Sequence, residues 1–62
     1  MKNEMQLLRE RTGLTQSAFS RKFHIPLRTL QRWERGASVP VPYVTYMISR
    51  ILDFEEGKEG KK

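Results

Sequence analysis

What most constrains this chain is its punctuation. Gly13, the Ile25-Pro26 pair, Gly36 and Pro42 divide it into four short stretches, each with apolar residues at helical spacing. Asn3 is the N-cap of a first helix running through Met5 and Leu8 to Thr12, with Glu4 in its first turn and Gln6 at the capping-box position. Gly13 ends it, because glycine accepts the left-handed conformation of a helix exit. At about 100° per residue, Met1, Met5, Leu8 and Thr12 share one face, with Arg9 at its flank and Leu7 opposite.

Thr15 caps a second helix, and Leu14 with Phe19 has the spacing of a hydrophobic staple, while Phe19 and Phe23 supply the buried face. That helix stops at His24, since the residue preceding a proline is driven out of helical geometry. Pro26 is preset for the start of a third helix, from Leu27 until Gly36, and Pro42 for the first turn of a fourth. In the fourth, Val44, Met47, Ile48 and Ile51 form the expected core stripe, with Tyr43 and Phe54 on one side and Leu52 on the other. Thr45, Ser49, Arg50 and Asp53 are expected on its polar face. The apolar arc approaches ~180°, wider than the ~100° that one buried face needs. The spacing predicts an all-α, compact four-helix domain over residues 1–56, followed by a flexible tail, 57–62.

Size narrows the function. A chain of 62 residues sits near the lower limit for independent folding and has interior for one small core, so a walled catalytic pocket of the usual ~300 Å³ or more is not expected. The absence of cysteine removes disulfides, thiolate metal sites and cysteine nucleophiles. His24 stands with no second histidine near it and reads as a turn residue, not a metal ligand. There is no GxGxxG, Walker lysine or HExxH, so neither an enzyme nor a cofactor or small-molecule ligand is expected. No apolar run reaches the roughly 18 residues of a membrane span, and MKNEMQLLRE lacks the apolar stretch of a secretory signal. The expectation is a soluble, untargeted, cytoplasmic protein.

Charge narrows it further. The net charge is +5, yet residues 1–10 are neutral and residues 53–62 carry a slight negative excess. Between them Arg11, Arg21, Lys22, Arg28, Arg32, Arg35 and Arg50 face Glu34 alone. Six of those seven cations are arginines, whose planar forks suit phosphate and guanine. On the third helix Leu30 and Trp33 point inward, and Gln31, Arg35, Arg28 and Arg32 fall within an arc of about 100° on the outward side. Like charges at i,i+4 repel, so a face chosen for solubility alone would mix signs. Arginine pairs bidentately with guanine and glutamine with adenine, and a helix fits the major groove.

The run TGLTQSAFSRKFHIPLRTLQRWERG resembles the helix-turn-helix of the Cro and phage-repressor (XRE-like) family of prokaryotic transcriptional regulators, and the resemblance continues through YVTYMISRIL. It implies a lambda-repressor-like fold with the motif at 15–36, in a family that often adds a fifth helix. In that family the first motif helix braces across the DNA backbone and the second enters the major groove. By position, Leu27, Arg28, Gln31 and Arg32 correspond to base-facing residues, and Gln16 and Arg35 to backbone contacts, with Arg21 and Lys22 beside them. The resemblance also implies an ion pair between Arg9 and Glu34. His24 departs from the glycine usual in the motif turn, where φ is positive; histidine tolerates that region at some strain.

The expected function is sequence-specific binding of double-stranded DNA by a transcriptional regulator. The wide apolar arc of residues 43–54 adds the expectation of a homodimer through that helix, with Tyr43, Leu52 and Phe54 at the contact. It also supports an alternative, a protein-binding module such as an antitoxin-type partner in which DNA binding is secondary or absent.

Overall fold

The computed structural model of the chain describes residues 2–57; the expected face position of Met1 and the tail beyond Gly57 lie outside them. Four helices follow in order: α1 (Glu4–Thr12), α2 (Gln16–Phe23), α3 (Leu27–Arg35) and α4 (Pro42–Glu55). Each boundary has a local cause. The Asn3 side chain accepts from the Gln6 N–H at 3.0 Å while the Gln6 side chain accepts from the Asn3 N–H at 3.1 Å, a complete capping box. Gly13 leaves α1 at φ 77°. Thr15 caps α2 by accepting from the Ala18 N–H at 3.1 Å. His24 then takes the left-handed conformation, φ 57° and ψ 39°, and is the only non-glycine residue to do so among those described. The turn holds because the Ile25 N–H donates to the Ser20 carbonyl at 2.9 Å. Gly36 ends α3 in the same conformation.

The core is drawn from all four helices: Met5 and Leu8 of α1, Phe19 of α2, Leu30 of α3, and Ile48 and Leu52 of α4. Leu14, Phe23, Ile25, Trp33 and Val44 close around them, and the Phe19 and Phe23 rings lie 4.7 Å apart in a tilted pair. Each buried side chain of this size contributes about 1.5–3 kcal/mol by leaving water.

Three expectations fail in α4. Its buried line is Thr45, Ile48 and Leu52, so Thr45 leaves the expected polar face and Leu52 the expected dimer contact, whereas Met47 and Ile51, assigned to the core from their spacing, are exposed. The helix is rolled so that Ile48 and Leu52 join Met5, Leu8, Phe19 and Leu30 in the core. At its far end Arg11 bridges both Asp53 and Glu56, and Lys22 bridges Glu55 at 3.0 Å. Thr45 is tolerated inside because its hydroxyl donates to the Pro42 carbonyl at 3.0 Å. The displaced apolar residues, Tyr43, Met47, Ile51 and Phe54, form an outward stripe.

Candidate nucleic-acid interface

Residues 15–36 make two short helices joined by the His24 turn, and the surface they present is set by what lies beneath. Ser20 is small enough to be buried at the junction, where its hydroxyl donates to the Ser17 carbonyl at 2.8 Å. Phe19 and Leu30, both completely buried, fix α2 against α3. With Leu30 inward, Arg28, Arg32 and Arg35 are exposed, Leu27 lies at the exposed start of α3, and Gln31 is half-buried toward α2.

Beneath this face sits a buried ion pair. Arg9 Nε donates to Glu34 Oε2 at 2.7 Å, Arg9 Nη2 to Glu34 Oε1 at 3.2 Å, and Arg9 Nη1 to the Leu14 carbonyl at 3.0 Å. The hydrogen bond to Glu34 raises the Arg9 pKa, opposed by burial and supported by the charges of Glu34 and Glu10. Because the folded value lies above the unfolded one, the stability that Arg9 protonation adds is present in the neutral range and is lost on the alkaline side only as pH rises through the arginine range. Gln16 Nε2 donates to Glu34 Oε1 at 3.1 Å, and Gln31 Nε2 donates to Gln16 Oε1 at 3.4 Å. The first residue of α2 is thereby tied directly to Gln31 in the middle of α3 and to the Glu34 carboxylate near its end, which also holds α1. Sequence reasoning missed this connection, which depends on three helices meeting.

It also missed the second role of Asn3. Besides capping α1, its Nδ2 donates to the carbonyls of Trp33 at 2.9 Å and Glu34 at 3.1 Å, satisfying acceptors at the end of α3. Its type as an N-cap was the only signal in the sequence, and that signal pointed to α1 alone.

The charge left over is concentrated. Lys2 bridges Glu10, Arg9 bridges Glu34, Arg11 bridges Asp53 and Glu56, Lys22 bridges Glu55, and Arg50 donates to the Tyr46 hydroxyl at 2.7 Å. Arg11 is held protonated above its ordinary value, first by the hydrogen bond to Glu56 and then by that to Asp53. Lys22 also lies 5.6 Å from the Phe23 ring centroid, so its ammonium is turned toward α4. Arg21, Arg28, Arg32 and Arg35 have no acidic partner among the described residues. At the start of α2, the Thr15 cap serves Ala18 and leaves the N–H groups of Gln16 and Ser17 without an intrahelical acceptor, suited to an anion. No group of three or more metal-ligating side chains occurs among the described residues, and no described helix is long and apolar enough to cross a membrane.

Two short helices around a tight turn, with an arginine face on the second, define a DNA-binding helix-turn-helix domain. A family model described as helix-turn-helix matches residues 5–57, and the chain belongs to this Cro/C1-type, XRE-like family of DNA-binding regulators. No curated protein and no solved structure matches the chain significantly.

Proposed function

We propose that the chain is a sequence-specific transcriptional regulator of the prokaryotic cytoplasm that lays α3 in the major groove of duplex DNA. The observation that carries this reading is the distribution of unneutralised charge. Every described lysine and every described arginine outside the motif helices has a charged or polar partner, while Arg21, Arg28, Arg32 and Arg35 on α2 and α3 have no acidic partner among the described residues. Leu27, Arg28, Gln31 and Arg32 face the bases, while Gln16, Arg21, Lys22 and Arg35 hold the backbone; for Lys22 this means exchanging Glu55 for a phosphate. On a selected site, Arg28→Ala and Arg32→Ala each cost about 1–3 kcal/mol of binding. Unchanged affinity in both variants would show that α3 is not the reading face.

The partner that completes the regulator is a second copy of the chain, docked through the outward stripe of α4. Tyr43 and Phe54 are 68% and 71% exposed there. The acids at this end, Asp53, Glu55 and Glu56, are engaged by Arg11 and Lys22, so a two-fold contact sets apolar surface against its own copy without opposing carboxylates. Two motifs related in this way suit half-sites about 34 Å apart. Sedimentation at micromolar concentration, with and without DNA, tests it; monomer alone in both contradicts it, and a stable complex with an unrelated protein instead favours the antitoxin-type alternative.

A further inference from the structure

We propose that Glu34, acting through Gln16, fixes which way the Gln31 side-chain amide faces and so makes Gln31 a reader of adenine. This rests on α3 lying in the major groove, and it assigns a positioning role to two residues that need not touch a base.

An amide is ambiguous by itself, since its oxygen and nitrogen ends have nearly the same shape and opposite hydrogen-bonding sense. Here the ambiguity is removed by a group that can only accept. Glu34 is a carboxylate whose side chain is 4% exposed, held by two donors of the Arg9 guanidinium. Its remaining neighbour within hydrogen-bonding distance is Gln16, which must present Nε2, and does so at 3.1 Å. With Nε2 committed, Gln16 Oε1 is turned away from Glu34 and can be satisfied only by a donor. Gln31 supplies one, Nε2 at 3.4 Å. The sense of every bond therefore runs outward from the buried carboxylate to the half-buried Gln31.

What Gln31 has left follows by count. One N–H is spent on Gln16, so one N–H and the Oε1 acceptor remain. Adenine offers in the major groove an N7 acceptor beside an N6 amino donor, the complement of that pair. Guanine offers two acceptors and would set its O6 against Gln31 Oε1; thymine offers a single acceptor and cytosine a single donor. Were Gln16 reversed or removed, Gln31 could turn over, or use both N–H groups on guanine, and the choice would be lost.

Selection from random duplexes tests this with the wild-type chain and three variants, Gln31→Met, Gln16→Met and Glu34→Gln, each first checked for cooperative melting. Gln31→Met identifies the base pair that Gln31 reads, as the position where preference vanishes. The wild type is expected to prefer A·T there by roughly ten-fold or more. Gln16→Met is expected to reduce that preference to about three-fold or less while the other positions keep theirs, on top of a uniform loss of affinity from its phosphate contact. Glu34→Gln, whose amide can face either way, relaxes the same base pair; if it does not fold, Gln16→Met decides alone. Equal weakening at all positions in Gln16→Met, with the Gln31 base pair still discriminated, overturns the proposal. So does a wild-type preference for G·C at that pair, or no lost preference in Gln31→Met. A wild-type chain that selects no site overturns the DNA reading itself, a result distinct from any of these.

Discussion

Arg9→Met isolates the packing logic of the domain. The substitution keeps most of the apolar stem and removes three hydrogen bonds, two to Glu34 and one to the Leu14 carbonyl. The Glu34 side chain, 4% exposed, is left with Gln16 as its donor among the described residues, a buried charge without its counter-ion. Breaking a buried pair in this way costs about 3–5 kcal/mol. A domain of 62 residues has a total stability of roughly 3–9 kcal/mol at ordinary values per residue, so the variant stands at the edge of unfolding. Its midpoint should fall by roughly 20–40 °C. The converse change is milder: in Glu34→Gln the Arg9 side chain, 21% exposed, keeps the Leu14 carbonyl and reaches water, for a cost of about 1–3 kcal/mol. The double variant Arg9→Met/Glu34→Leu removes both charges and should return to within about 1 kcal/mol of wild type. Urea unfolding followed by the fluorescence of Trp33, which packs against the core, reads all three. A cost below about 1 kcal/mol for Arg9→Met, or a double variant weaker than Arg9→Met, refutes the reasoning.

Other outcomes follow from single contacts. Asn3→Ala removes the α1 cap and two donors to the end of α3, and should cost about 1–2 kcal/mol in the same urea assay. His24→Gly relieves a left-handed φ of 57° at an exposed side chain and should raise stability by about 0.5–1 kcal/mol despite the added entropy of the unfolded chain. Phe54→Ser, on an exposed position, should leave the monomer's melting unchanged while shifting sedimentation toward monomer. Since hydrogen bonds to carboxylates raise the pKa of both Arg9 and Arg11, melting should show no loss of their ion pairs from neutral pH to pH ~10, a range in which arginine stays charged.

The helices were legible because their ends are chemical. As helix-end signals, Asn3, Gly13, Thr15, Pro26, Gly36 and Pro42 each act within a turn of where they stand, and local rules suffice to read them in that role. The arginine face of α3 was legible for a related reason, since Leu30 and Trp33 leave one direction inward and the other side must be wet. The roll of α4 was not. Its apolar arc is wide enough to dock by either edge, and the edge that enters the core is the one that packs Ile48 and Leu52 against Met5, Leu8, Phe19 and Leu30, residues distant along the chain. Thr45 could enter the core because a local carbonyl accepts the hydrogen bond of its hydroxyl, which a hydropathy wheel does not register. The link from Glu34 through Gln16 to Gln31 was hidden for the same reason as the roll of α4: it exists only after α1, α2 and α3 have packed.

The central claim, that unneutralised arginines on α2 and α3 engage DNA phosphates while α3 reads the bases, is tested most directly by salt. Binding to a selected duplex is measured by fluorescence anisotropy from low to moderate salt. With Arg21, Lys22 and Arg35 of each protomer on phosphates, the logarithm of the association constant of the dimer should fall against the logarithm of salt with a slope near −5.4, at about −0.9 for each contact. Replacing Arg21 and Arg35 by alanine should bring the slope to about −1.8. A wild-type slope near zero, or one unmoved by the two substitutions, would contradict the claim.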